Sequence, residues 1–91
     1  MARRASTDKE LEHGRRIGRV IARKREEAKL SAPQLALRSD VAIDTVRSLE
    51  RGRVATPAFL TIAKLAATLS LSLDDIQSAA GSSTDEGGRG R

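Results

Sequence analysis

Helix start and stop signals recur at short intervals between residues 31 and 76, and they restrict the fold more than any other feature of the sequence. Serine or threonine ahead of an amide, an acid or a proline is typical of a helix start, and glycine is typical of a helix end. The signals are the starts Ser31 with Gln34, Thr56 with Pro57 and Ser72 with Asp75, and the left-handed end Gly52. Such close spacing favours several short helices.

Apolar residues with helical spacing fill the segments between these signals. The predicted helices span residues 15–29, about 32–38, 42–50, 57–69 and about 73–79. Their inward residues include Ile17, Val20, Ile21 and Ala28 in the first helix, Val46 and Leu49 in the third, and Phe59, Leu60, Ile62, Ala63, Leu65, Ala66 and Leu69 in the fourth. The sequence therefore predicts an all-α protein, a compact five-helix bundle without strands.

The core of such a bundle must be aliphatic, because Phe59 is the only aromatic residue in the chain. Aliphatic residues favour packed helices over sheets, which draw on aromatic and β-branched side chains.

The chain also lacks cysteine, which excludes disulfides and cysteine metal sites, and nothing in the sequence predicts a metal or another cofactor. No segment has the apolar length of a signal peptide or a membrane helix. These features predict a cytoplasmic protein without a membrane partner.

Positive charge is concentrated in the N-terminal half of the chain. The net charge is +5, and residues 1–29 contain ten Lys and Arg against five Asp and Glu. An excess of this kind suggests a polyanionic partner. We expect three parts: a flexible basic arm over residues 1–13, a folded domain over residues 14–80, and a Gly- and Ser-rich disordered tail over residues 81–91.

The segment from Leu30 to Ile76 carries a specific pattern. It consists of Leu30-Ser31 before the second helix, Val46 and Leu49 inside the third, Glu50-Arg51-Gly52 at its end, and Leu69-Ser70-Leu71-Ser72-Leu73 before the fifth. In these residues the chain resembles the Cro/C1-type (XRE) helix-turn-helix family of phage and bacterial repressors. Together with the first helix, the resemblance covers about two thirds of the chain. It implies a lambda-repressor-like fold and a homodimer that binds a two-fold-related site in double-stranded DNA.

The resemblance also implies roles for individual residues, with the third helix in the major groove. The residues that would read bases are Ile43, Asp44, Arg47 and Ser48. The residues that would bind phosphates are Ser31, Gln34, Thr45, Arg51 and Arg53, together with free backbone N–H groups over residues 31–34. Arg25 and Glu50 would form a structural ion pair, and the dimer interface would consist of Leu71, Leu73 and Ile76. Each residue type has a suitable partner, such as guanine for arginine and cytosine for aspartate.

Structural roles compete with these assignments. Arg47 can pair with Asp44 or Glu50 on its own helix, and the two arginines that follow the helix can be solvated loop charges. Ile43 can lie partly in the core. In a monomer, the residues assigned to the dimer interface would simply complete the core.

Four positions depart from the family pattern. Ala32 replaces a frequent glutamine at the start of the second helix, and Ala42 replaces a Ser or Thr cap of the third. Lys24 stands where an apolar residue is frequent, and Asp40 replaces the usual glycine of the turn. Asp40 can still adopt a left-handed conformation, but it adds a negative charge near the DNA. The fold tolerates these changes better than the contact pattern does.

These observations predict a sequence-specific transcriptional regulator, and more specifically a repressor. The alternative is an antitoxin or small interaction protein whose main ligand is another protein, because such proteins often keep the same DNA-binding domain. An enzyme is not predicted, since the chain has one histidine, no cysteine and no phosphate-binding glycine loop, and Asp74 and Asp75 fit a helix start. Single-stranded DNA is a less suitable target because Phe59 is expected to be buried.

Overall fold

The computed structural model describes residues 8–81, without the side chains of residues 79–81, and the backbone of this range forms five helices and no strand. The helices are α1 (Asp8–Glu27), α2 (Ala32–Ser39), α3 (Ile43–Glu50), α4 (Phe59–Thr68) and α5 (Leu73–Gly81). Helix α1 packs against α3 and α5, and α2 packs against α3 and α4. The predicted all-α bundle of five helices is confirmed.

The start of α1 differs from the prediction. We expected a flexible arm over residues 1–13, but α1 already begins at Asp8. Acidic side chains in its first turn favour the helix start through the helix dipole. Glu12 then lies 3.5 Å from Arg15 and 3.0 Å from Arg16, measured between charged atoms. Pairs at this helical spacing stabilise turns that have little apolar periodicity.

The other chain boundaries also need correction. Helix α1 ends at Glu27, so Ala28, which we placed on its inner face, follows the helix and is exposed. The first residue of the predicted tail, Gly81, is the last residue of α5. The rest of the predicted tail, residues 82–91, and residues 1–7 of the predicted arm lie outside the described residues.

Capping boxes begin α2 and α5, as predicted. At α2 the Gln34 N–H donates to Ser31 Oγ at 3.2 Å, and the Ser31 N–H donates to Gln34 Oε1 at 2.8 Å. At α5 the Asp75 N–H donates to Ser72 Oγ at 2.9 Å, and the Ser72 N–H donates to the Asp75 carboxylate at 3.2 Å. Each box satisfies two N–H groups that would otherwise lack a partner.

Helix α4 starts later than the Thr56-Pro57 signal indicates. Its first residue is Phe59. The chain ahead of it is held against α1, since a Cβ atom added to Gly14 would lie 3.0 Å from Ala55 Cα. Thr56 and Pro57 therefore belong to the connection between α3 and α4.

A residue with a left-handed backbone follows each of the first four helices, one or two positions after the last helical residue. These residues are Lys29 (φ 62°), Asp40 (φ 60°), Gly52 (φ 73°) and Ser70 (φ 59°). In each case the next N–H donates to the carbonyl oxygen five residues before it, at 2.8 to 3.1 Å, which closes the helix end. The sequence predicts the conformation at Gly52 and permits it at Asp40, whereas lysine and serine carry no signal for it.

The core is aliphatic, as predicted. The largest fully buried side chains are Ile21, Leu35, Val46, Leu49 and Leu65. The prediction is wrong for Phe59 and Leu60, which are 72% and 63% exposed. Both lie in the first turn of α4, ahead of Ile62, where the buried face of that helix begins. Phe59 is therefore no argument against single-stranded DNA, although one exposed ring does not form a series of stacking surfaces.

Two glycines let α1 lie directly against the end of α3 and the chain that follows it. A Cβ atom added to Gly18 would overlap the Leu49 carbonyl oxygen and lie 2.8 Å from the carbonyl carbon. A Cβ atom added to Gly14 would overlap the carbonyl oxygen of Val54. Real Cβ atoms essentially never approach other heavy atoms within 3.0 Å. The two glycines therefore set how closely α1 approaches α3.

Candidate nucleic-acid interface

Helices α2 and α3 are consecutive and are joined by a short turn, residues 40–42. Leu35 of α2 is fully buried, as are Val46 and Leu49 of α3. The two helices therefore share the core through their inner faces, and the opposite face of α3 points away from it. This arrangement is a helix-turn-helix.

The four residues predicted to read bases do not all lie on the outer face of α3, because Ile43 packs partly against the core. Asp44 and Arg47 are exposed, whereas Ser48 is half-buried and Ile43 is half-buried and packs against the core. Within residues 8–81, no ion pair or side-chain hydrogen bond engages Asp44 or Arg47. The alternative that the two side chains pair with each other thus has no support in this geometry. Both charged groups are accessible to a ligand.

Arg25 of α1 and Glu50 of α3 form a bidentate ion pair. Arg25 Nε donates to Glu50 Oε2 at 2.7 Å, and Nη2 donates to Oε1 at 2.9 Å. The third nitrogen, Nη1, donates to the Leu30 carbonyl oxygen at 2.8 Å. The hydrogen bonds to Glu50, together with its charge, raise the pKa of Arg25 against the opposing effect of burial. The pair ties the ends of α1 and α3 together and occupies Glu50, which is then not the partner of Arg47.

The residues predicted to bind phosphates lie in two main places, the end of α3 and the start of α2, and Thr45 lies apart from both in the first turn of α3, where it is half-buried. At the end of α3, Arg51 and Arg53 are exposed on either side of the left-handed Gly52. In the described part of the chain, neither arginine has an ion pair. Two unpaired guanidinium groups therefore adjoin the end of α3.

The second place, the start of α2, offers fewer free N–H groups than predicted. We expected free backbone N–H groups over residues 31–34, but the capping box uses those of Ser31 and Gln34. Pro33 has no N–H, which leaves the N–H of Ala32. The other donors of this turn are the Ser31 hydroxyl and the Gln34 amide nitrogen, so a phosphate here would be held mainly by side chains.

A family model described as helix-turn-helix matches residues 21–76 of the chain. The match spans more than half of the sequence and includes all of α2, α3 and α4. The chain belongs to the Cro/C1-type helix-turn-helix family. Members of this family are DNA-binding transcription regulators. No curated protein matches the chain.

The turn of this helix-turn-helix protein carries a compensated negative charge. The Asp40 side chain is 97% exposed, and its carboxylate lies 3.8 Å from Lys64 Nζ of α4. The same ammonium group donates to the Asp40 carbonyl oxygen at 3.4 Å. Lys64 therefore offsets part of the charge that Asp40 adds to the turn. Sequence reasoning missed Lys64, because it lies 24 residues away and no local pattern links the two positions.

Two of the three residues predicted for a dimer interface of this helix-turn-helix protein reach the surface. Leu73 is 39% exposed and Leu71 is half-buried, but Ile76 is only 3% exposed. Ile76 belongs to the core because α5 packs against α1. The part of the prediction that placed Ile76 at an interface is therefore wrong for this fold, and a partner surface here is limited to Leu71 and Leu73.

Two further departures from the family pattern lie at the start of α3 and on the surface of α1. Ala42 precedes α3 without a side-chain cap, and Lys24 lies 3.4 Å from Glu27 on the surface of α1.

Among residues 8–81, no three His, Cys, Asp or Glu side chains come together as metal ligands. No helix in the described range has the length and apolar character needed to cross a bilayer.

Proposed function

We propose that the protein is a sequence-specific repressor of transcription that binds double-stranded DNA with α3 in the major groove. The observation that carries the proposal is the outer face of α3, where Asp44 and Arg47 are exposed and have no partner among the described residues. The inner face of the same helix is buried through Val46 and Leu49, so these side chains project from a fixed support. In this proposal the protein binds DNA and does not catalyse a reaction. It would act in the cytoplasm, where the DNA is.

The residues of α3 predicted to read bases suggest a base preference. A guanidinium group such as that of Arg47 can donate two hydrogen bonds to guanine O6 and N7, and the Asp44 carboxylate can accept one from cytosine N4. Ile43 can contact a thymine methyl group, and Ser48 can bond to several base edges. The expected half-site therefore contains G·C pairs and a T.

Contacts to phosphates would fix the protein on the duplex without reading its sequence. Arg51 and Arg53 are exposed at the end of α3, and Thr45 offers a hydroxyl group. At the start of α2, Ser31 and Gln34 offer a hydroxyl group and an amide. The two arginines and the two α2 side chains lie at opposite ends of the helix-turn-helix, and the DNA backbone passes both ends when a helix lies in the major groove.

A homodimer is the expected assembly. Leu71 and Leu73 supply an apolar surface beside α5, where a second copy would bury them. In a dimer with two-fold symmetry, the two copies of α3 would lie about 34 Å apart, which is one turn of DNA. The spacing between the two half-sites of the DNA therefore indicates whether the protein binds as a dimer.

The second candidate function is binding of another protein, as in an antitoxin. It is favoured by large apolar side chains that remain in water: Leu37 is 84% exposed, Phe59 72% and Leu60 63%. Exposed apolar side chains mark protein contact sites when they form a continuous patch. This function is compatible with DNA binding, so the experiment must ask first whether DNA sequence is read.

Selection of bound duplexes from a random library at near-physiological salt tests the proposal, because every possible site is present in the library. An inverted repeat with half-site centres about 10 base pairs apart would support a dimer that reads sequence. Strong binding at low salt without any enriched sequence would contradict it, since that result reflects charge alone. In that case the protein-binding function becomes the leading one.

Two arginine variants separate base reading from phosphate binding. Arg47→Ala is expected to weaken binding to the selected site by about 1 to 3 kcal/mol and to relax the preference at one base pair. Arg53→Ala is expected to weaken all duplexes alike and to reduce the salt slope of binding by about one. Binding curves on the selected site and on a scrambled duplex, over a series of salt concentrations, measure both effects. Equal losses on all sequences for both variants would contradict the role of Arg47.

A further inference from the structure

The first part of α1 lies outside the segment that matches the family. The match begins at residue 21, whereas α1 begins at Asp8. The extra turns are nevertheless part of the fold, because Gly14 and Gly18 bring their backbone against Val54 and the end of α3. The backbone of this stretch therefore has a defined place beside the end of α3.

Arg15, which belongs to this stretch, lies on the glycine that ends α3. A Cβ atom added to Gly52 would lie 2.7 Å from Arg15 Cγ, 3.5 Å from Cβ and 3.6 Å from Cα. Adjacent Cα atoms are about 3.8 Å apart, so the Arg15 Cα lies within about 9 Å of those of Arg51 and Arg53. Three arginines from two distant parts of the sequence thus share one small region of the surface.

Arg15 does not have its neighbouring carboxylate, Glu12, to itself. The side chain of Arg15 is 51% exposed, and its Nη1 lies 3.5 Å from Glu12 Oε1. Glu12 also accepts a hydrogen bond from Arg16 Nε at 3.0 Å. The bond from Arg16, followed by the charge of Arg16 and the bond from Arg15, lowers the pKa of Glu12 from its usual 4.5. One ionised carboxylate is therefore shared between two arginines, which leaves Arg15 incompletely neutralised.

We propose that Arg15 joins Arg51 and Arg53 in binding the phosphate backbone of DNA, so that the first part of α1 enlarges the DNA-binding surface beyond the matched segment. This inference rests on the proposed function, since it adds a contact beside α3. The aliphatic stem of Arg15 is held against Gly52, and its exposed guanidinium group can donate two hydrogen bonds to one phosphate. Such a contact strengthens binding to every sequence and carries no base preference.

The test compares Arg15→Gln with Lys24→Gln. Nine residues separate the two positions, which places them on opposite sides of α1. Both side chains are exposed to a similar degree and pair with a glutamate three residues away, at 3.5 Å and 3.4 Å. The two variants therefore remove the same charge from similar surface pairs, which differ in that Glu12 is also bonded to Arg16. Circular dichroism and thermal unfolding check that each remains folded.

Arg15→Gln is expected to weaken binding to a duplex of random sequence about fivefold at physiological salt and to reduce the salt slope by about one. Lys24→Gln is expected to change neither quantity by a comparable amount. Equal effects of the two variants would overturn the inference. Arg53→Ala is measured in parallel: if it weakens binding and Arg15→Gln does not, only this inference fails. If neither variant weakens binding, the proposed DNA-binding face is itself wrong.

A second pair of variants tests the same contact in the opposite direction. Glu12→Gln removes the carboxylate that competes with phosphate for Arg15, and Glu27→Gln removes the partner of Lys24. We expect Glu12→Gln to tighten binding more than Glu27→Gln does, although both raise the net charge by one. Equal gains would overturn the inference, because they would show that only the total charge matters.

Discussion

Gly18→Ala is expected to destabilise the fold by about 3 kcal/mol, although alanine is the better helix former by about 1 kcal/mol. The added methyl group would overlap the Leu49 carbonyl oxygen. That oxygen cannot move aside easily, because it accepts a hydrogen bond from the Gly52 N–H at 3.0 Å. The overlap with a fixed backbone group therefore outweighs the gain in helix propensity.

The free energy of unfolding is measured by urea titration, with circular dichroism as the signal. Arg19→Ala, one residue further along α1 on its exposed side, is the control, and it is expected to change the free energy of unfolding by less than about 0.5 kcal/mol. Gly14→Ala, which meets the Val54 carbonyl oxygen, is expected to behave like Gly18→Ala. A stability equal to or above that of the parent for Gly18→Ala would contradict the close approach of α1 to α3.

Arg25→Met is expected to cost about 3 kcal/mol in the free energy of unfolding. The variant leaves the Glu50 carboxylate largely buried without its counter-charge and removes the donor to the Leu30 carbonyl oxygen. Removing one partner of a buried ion pair costs about 3 to 5 kcal/mol, and we take the lower end because the two side chains are 17% and 13% exposed. Arg25→Lys is expected to lose much of the same stability, since lysine cannot form the two parallel hydrogen bonds.

A double-mutant cycle with Glu50→Leu distinguishes the ion pair from simple loss of packing. We expect the Arg25→Met, Glu50→Leu double variant to be more stable than the Arg25→Met single variant, because no buried charge is left without a partner. Additive losses in the cycle would show that the two side chains do not interact in solution. Unfolding by urea and by heat give the four free energies that the cycle requires.

Local signals explain which parts of the fold could be predicted. The capping boxes at Ser31 and Ser72 and the left-handed end at Gly52 depend on neighbouring residues only, and the structure confirms them. The early turns of α1 were missed because ion pairs rather than apolar periodicity support them. Phe59 was misplaced because its helical position fits the buried face, but that face begins only at Ile62.

The candidate site depends on contacts between distant residues, which local patterns do not reveal. The expectation that Arg25 pairs with Glu50 came from resemblance to a family and not from their separation of 25 residues. No resemblance pointed to Lys64 beside Asp40 or to Arg15 on Gly52. The sequence also gives no signal that the two glycines of α1 are needed. Each is required because a side chain there would overlap a carbonyl oxygen in another part of the chain.

The way α3 is held has a consequence for how such a protein evolves. Its packing uses the inner side chains Val46 and Leu49, the backbone contact with Gly18 and the ion pair at Glu50. None of these involves the outward side chains of Asp44 or Arg47. Mutations at the outward positions therefore leave the scaffold intact, and duplicated copies of the gene can diverge in what they recognise while folding equally well.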